Sequence, residues 1–118
     1  MTQASNSDFQ IIAHANQEPV TITPEGGERR ILSRGGGMML VEFRFKAGVV
    51  GTIHSHPHEQ LGYVVSGSID LIMEGHENQR LEAGSSYYVQ PNVRHGIIVH
   101  SDAVLIDAFT PQREDFLA

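Results

Sequence analysis

Twelve glycines and five prolines punctuate this chain from end to end, and no stretch of ten or more residues between them carries a helical apolar period. Glycine and proline interrupt regular structure, so the chain must fold from short pieces. Those pieces are β-rich. Residues 38–46 form the strongest, with Leu40, Glu42, Arg44 and Lys46 on one face of a partial alternation against Val41, Phe43 and Phe45. Weaker runs at 11–13 and 29–33 precede it; runs at 60–65, 68–74, 86–90, 96–100 and 103–109 follow at short spacing. Residues 113–117 read as a single helical turn. Several short strands separated by turn signals predict an all-β sandwich or barrel.

A chain of 118 residues, 40% of them apolar, supports one hydrophobic core. Residues 1–24 read as an N-terminal tail, in which 9–13 can add an edge strand, and 25–118 as one domain. The formal charge of −6 argues against a nucleic-acid partner, because phosphate backbones are bound by net positive surfaces. No apolar run reaches the roughly 18 residues that cross a bilayer, and the polar start lacks a secretory leader pattern. A cytoplasmic, non-membrane protein is therefore expected. Gly35, Gly36 and Gly37 are followed by no helix pattern and read as a flexible turn, not as a phosphate cradle.

Seven histidines without one cysteine restrict any metal site to nitrogen and oxygen ligands. Residues two apart on a strand share a face, so His54 and His56 can grip one ion. Pro57 then bends the chain, and Gln60 can return a side-chain oxygen. Glu59 is a chemical rival, but it breaks the parity of His54, His56 and Gln60. His95, just before the run 96–100, is the candidate fourth ligand. Three imidazoles and one oxygen suit a divalent Zn, Ni, Fe, Mn or Co ion. Asp107 ends the apolar run that begins at Ala103. Its carboxylate is solvated, bridged to Arg113, or poised beside a site. Tyr63, Tyr87 and Tyr88 either pack on a barrel wall or donate to a ligand. His58 faces a pocket mouth or solvent, His76 occupies an exposed turn, and His14 and His100 read as surface or strand-edge residues. Met38 and Met39 read as core fillers.

The spacing of these residues resembles the cupin family. Its first motif is matched by Gly48, His54, His56, Gln60 and Gly67, with glutamine where the family has glutamate. Its second is matched by Gly84, Asn92 and His95, with Asn92 in a glycine position, Gln90 in place of proline and Val99 in place of asparagine. The resemblance implies a cupin jelly-roll β-barrel with the metal inside its mouth. Glutamine subtracts no charge from a divalent ion, so such a site polarises a bound oxygen more strongly than a glutamate site and holds metal less tightly.

The ending from Asp107 to Leu117, with the cluster from His54 to Gln60 and the stretch from Arg34 to Glu42, is similar to the small cupins of pectin and alginate breakdown. Those proteins linearise 4,5-unsaturated uronate monosaccharides to keto-acids. The resemblance implies metal ligands His54, His56, Gln60 and His95, a catalytic aspartate at Asp107 and a substrate-binding arginine at Arg113. It implies one divalent ion (Ni, Zn, Mn or Fe) and a sugar-acid substrate. Two other readings stand beside it: another metal-dependent cupin such as an oxygenase, and a non-catalytic small-molecule-binding cupin. A homodimer is expected, with the strand at 9–13 pairing with a neighbour's sheet edge.

Overall fold

Two long strands carry the architecture of the computed structural model, which describes residues 9–117. They are β4 (Glu59–Met73) and β7 (His95–Thr110), paired antiparallel from Glu59↔Thr110 to Met73↔His95. Register shifts between Val64 and Ile69 interrupt the ladder near its middle. Extra residues in one strand bend it and raise its twist, so the two halves of the pair join different neighbours. The first half of β4 takes β6 (Ser86–Val89) and the second takes β5 (Gln79–Glu82). The far edge of β7 takes β3 (Met38–Phe45), followed by β2 (Glu28–Gly35) and β1 (Thr21–Ile22). The order is β1-β2-β3-β7-β4-β5, with β6 on β4, and every pairing is antiparallel. The sheet curls into the all-β jelly-roll barrel expected from the strand spacing.

The sequence divides each long strand in two, at 60–65 with 68–74 and at 96–100 with 103–109. The chain instead runs through both interruptions as one bent strand. The strand β5 escapes the sequence reading because its residues are mostly polar and exposed; its order comes from pairing with β4. The short helix α1 (Glu114–Leu117) falls where a single turn is expected. The tail reading of residues 1–8 lies outside the described residues. Gln10 exchanges both backbone hydrogen bonds with Arg34 of β2, at 2.8 and 3.0 Å, so this segment finds a partner within its own chain. No helix among the described residues is long and apolar enough to cross a membrane.

Strand alternation sends Val64, Ile69, Val99 and Leu105 into the main core, and Met39, Val41 and Phe109 into a second cluster beside it. Of the two methionines expected to fill the core, only Met39 does. Met38 is 64% exposed, because neighbours on a strand face opposite ways. Glu42 is buried yet charged: Arg44 donates to its carboxylate at 2.9 Å, and Arg30 lies 3.6 Å away.

Gly67 sits at the bend of β4 with φ +81°, and a Cβ there would lie 2.1 Å from the carbonyl oxygen of Asp102. Gly75 has a similar φ of +83°, with nothing within 4 Å of its Cβ position. Gly75→Ala should therefore cost only the left-handed backbone penalty, about 1–2 kcal/mol. Gly67→Ala should cost distinctly more, because backbone must also move. Urea unfolding of both variants checks this; equal losses would mean that the bend absorbs the added methyl group without strain.

Candidate metal centre

The segment between β3 and β4 crosses the start of β7 and bonds to it. His54 and His95 exchange backbone hydrogen bonds at 2.9 Å each way, and the Asn92 amide donates to the His56 carbonyl at 2.7 Å. Asn92 adopts φ +66°, a left-handed conformation in which asparagine is a tolerated substitute for glycine. These contacts bring together three side chains that are 41 residues apart at their extremes in sequence, His54 to His95. Ring centroids of His54 and His56 lie 4.6 and 4.9 Å from that of His95. One nitrogen from each of the three falls within 4.8 Å of the others, a grouping that could hold a metal ion.

The outward nitrogens are already engaged. Nδ1 of His54, His56 and His95 lies 2.8, 3.1 and 2.9 Å from the carbonyl oxygens of Thr52, His58 and Val93. A ring N–H donated to a carbonyl fixes the tautomer and leaves the Nε2 lone pair for a metal. Burial, the largest effect on each, lowers the His56 pKa and lowers that of His95 to about 4, which favours neutral rings.

Gln60 opens β4 on the same inward face. Its amide hydrogen-bonds the Asp107 carboxylate, which accepts from its NH₂ group, and its Oε1 lies 2.9 Å from His56 Nε2. With the His56 proton held toward His58, two lone pairs face each other. A cation relieves that arrangement, so the donor set fits a divalent ion. Glu59 is on the outer face, where its carboxylate accepts from the Tyr88 hydroxyl. Strand parity thus places Gln60 inward and Glu59 outward.

Asp107 is buried in β7, in register with Gly62 of β4. Burial raises its pKa to about 6, against the lowering effects of its bonds to Tyr87 and Gln60 and the charge of Arg113. Tyr87 donates to Asp107 Oδ1 at 2.7 Å, and its own pKa is raised by burial first and by that carboxylate second. Gly62 makes the pair feasible: a Cβ there would sit 2.0 Å from the Tyr87 ring and 2.4 Å from Asp107 Oδ1. Tyr87 is thus the one of the three tyrosines that reaches the site; Tyr63 and Tyr88 are 49% and 43% exposed.

Arg113 does not bridge to Asp107 as one sequence reading has it. Its Nε and Nη2 fork onto Asp115 at 3.0 and 2.9 Å. Among the described residues, Asp107 has no ion pair within 4.0 Å. The turn of α1 explains the change: it brings Asp115 back over the arginine two positions earlier. His58 has its Nδ1 buried without a hydrogen-bond partner and stands edge-on to Phe109. His14, His76 and His100 are exposed, and His100 Nε2 lies 2.9 Å from Asp70.

His54, Gln60, His95, Asp107 and Arg113 all line one cavity of about 470 Å³, a size that suits a small molecule. Sequence reasoning missed two residues on its wall, Arg29 and Phe116. Neither belongs to a motif, and only the alternation of β2 and the helical turn after Arg113 hinted at where they face.

A polar cluster in the mouth of a jelly-roll barrel is the arrangement of a cupin, and residues 41–109 match the family model described as the cupin domain. The chain belongs to the cupin family. It is 38% identical over 95 residues to the pectin degradation protein KdgF of Dickeya dadantii (strain 3937), covering 79% of this chain and 86% of that protein. Among solved structures it is similar to an RmlC-like cupin from Shewanella frigidimarina NCIMB 400, with 34% identity and TM-score 0.85 over 91% of this chain and 96% of the other. It is also similar to KdgF from Halomonas sp., with 31% identity and TM-score 0.81 over 89% of this chain and 98% of the other.

Tyr87→Phe removes a hydrogen bond to a buried carboxylate while keeping the ring. It should destabilise the fold by about 1–3 kcal/mol. Chemical denaturation measures this, and a loss below about 0.5 kcal/mol would mean that the phenol contributes no net hydrogen bond there.

Proposed function

We propose that this cupin is a metal-dependent isomerase of pectin or alginate breakdown. Its substrates are 4,5-unsaturated uronate monosaccharides, which it linearises to keto-acids. The observation that carries the reading is the convergence of a three-histidine cluster and an amide oxygen with a buried carboxylate and a guanidinium: His54, Gln60, His95, Asp107 and Arg113 line one cavity, and the His56 ring lies 4.9 Å from that of His95. The likeness to pectin degradation proteins supports the substrate class.

In this reading His54, His56, Gln60 and His95 hold one divalent ion, which is Ni, Zn, Mn or Fe. When bound, the ion supplies Lewis-acid polarisation of a substrate oxygen. Asp107 moves the proton. It takes it from the anomeric hydroxyl as the bond from C1 to the ring oxygen breaks, which leaves an aldehyde at C1 and an enolate oxygen at C5. The proton returns at C4, and C5 becomes the keto carbon. No atom is gained or lost, and the acid–base group ends as it began. Tyr87 and Gln60 orient the carboxylate from two sides. Arg113 supplies positive charge on the cavity wall beside Asp107, which favours an anionic substrate.

The reading includes a cytoplasmic homodimer. Leu61, Tyr63 and Val65 lie on the outer face of β4, all at least 48% exposed, and a second copy would cover them. Sedimentation velocity should give twice the 13.0 kDa chain mass, and Leu61→Arg should shift it toward the monomer. A monomer at all concentrations would refute the dimer.

The C4=C5 bond conjugated to the carboxylate absorbs in the ultraviolet, and the linear keto-acid does not. Metal-loaded protein should speed the loss of absorbance above the spontaneous rate, and chelation should abolish the gain. Asp107→Asn should lower kcat by about 10²–10⁴-fold while bound metal is retained. Unchanged turnover in that variant would remove Asp107 from the mechanism. No acceleration with any of the four metals would overturn the isomerase assignment.

A further inference from the structure

Two guanidinium groups line the cavity among the described residues, those of Arg29 and Arg113. Their surroundings differ. Arg113 commits Nε and Nη2 to Asp115, so the flat edge that would receive a carboxylate is already taken. Arg29 makes no side-chain hydrogen bond and no ion pair within 4.0 Å among the described residues. It is half-buried on β2, in register with Phe43, which also lines the cavity. Its neighbour Arg30 points the other way, toward Glu28 and Glu42.

Phe116 ties the two arginines together. The Arg29 guanidinium carbon is 3.9 Å from the centre of its ring, and that of Arg113 is 4.1 Å away. The ring itself stands edge-on to Phe109 and Phe43, at 5.8 and 6.3 Å. Stacking holds each guanidinium over the ring and leaves the in-plane N–H groups of Arg29 to bind an anion. Burial lowers the Arg29 pKa, the charge of Asp115 offsets this, and Arg113 adds to it. A half-buried cation beside a second cation is costly unless an anion joins them.

We infer that Arg29 and Arg113, stacked on Phe116, form a two-guanidinium clamp in which Arg29 takes the carboxylate of a sugar acid. The clamp rests on the uronate reading of the same cavity and sharpens it. Arg29 becomes the residue that separates sugar acids from neutral sugars. Arg113, with its fork held by Asp115, contributes charge and its remaining Nη1. In a chain of overall charge −6, such a local cationic wall favours the entry of an anionic ligand.

Calorimetric titration tests this without turnover. The probes are galacturonate, a sugar acid that lacks the C4=C5 bond, and galactose, its neutral counterpart. The metal-loaded wild type should favour galacturonate by about tenfold or more. Arg29→Gln should remove that preference, leaving galactose binding unchanged. Arg29→Lys should restore part of it, since it keeps the charge and loses the fork. Arg30→Gln, which removes the same charge outside the cavity, should bind as wild type does. Thermal melting of each variant separates lost binding from lost folding. Galacturonate binding in Arg29→Gln equal to wild type, or no preference in the wild type, overturns the clamp. Preference for galacturonate that depends on Arg29, in a protein that leaves the unsaturated uronate unchanged, upholds the clamp and overturns the isomerase instead.

Discussion

The antiparallel ladder between β4 and β7 is the constraint on which the rest of the structure depends. It sets Gln60 opposite Phe109 and Gly62 opposite Asp107, so an amide and a carboxylate from distant parts of the chain meet on one inward face. The same ladder ends at Met73 and His95, which anchors the residue that pairs with His54. A slip of one residue would turn each of these side chains to the opposite face. The bend near Gly67 then lets two strands serve both halves of the barrel. Pairing, bending and site assembly are consequences of one register.

The electrostatics of the cavity follow from burial. Desolvation favours the neutral forms of His56 and His95, and backbone carbonyls hold the tautomers of all three imidazoles, so lone pairs turn inward. Asp107 is desolvated as well, yet Tyr87 and Gln60 direct hydrogen bonds onto it. On the same wall the two arginines share one aromatic ring. Lone-pair donors, a buried acid and cations thus line a single space of molecular size. That combination suits chemistry on a small anionic molecule, and it explains why several polar groups are retained beside a core built from apolar side chains.

Much of the fold was legible because strand alternation is local. The β-rich runs, the absence of helical periodicity and the inward parity of Gln60 against Glu59 can all be read from neighbours in sequence. The interrupted strands were harder. Ser66, Gly67 and Ser68 carry turn chemistry, and only the partner strand decides that the chain bends there without ending. Met38 shows the same limit: its composition suits a core, but its register faces solvent. For the site, the pattern from His54 to Gln60 and the lone His95 were visible as motifs. The partners of Asp107 and Arg113 were not. Tyr87 reaches Asp107 through a gap left by Gly62, and Asp115 reaches Arg113 through one turn of helix.

The sequence by itself determined the class of fold, the kinds of ligand atom available and which residues of a strand share a face, because these depend on residue chemistry and a two-residue period. The tertiary structure alone decided which residues meet. The crossing segment that joins His54 to His95, the acceptance of Tyr87 by Asp107 and the stacking of Arg29 and Arg113 on Phe116 join residues from separate strands and the terminal helix. Such meetings depend on sheet register and strand curvature, which arise from the packing of the whole barrel and leave no local mark in the chain.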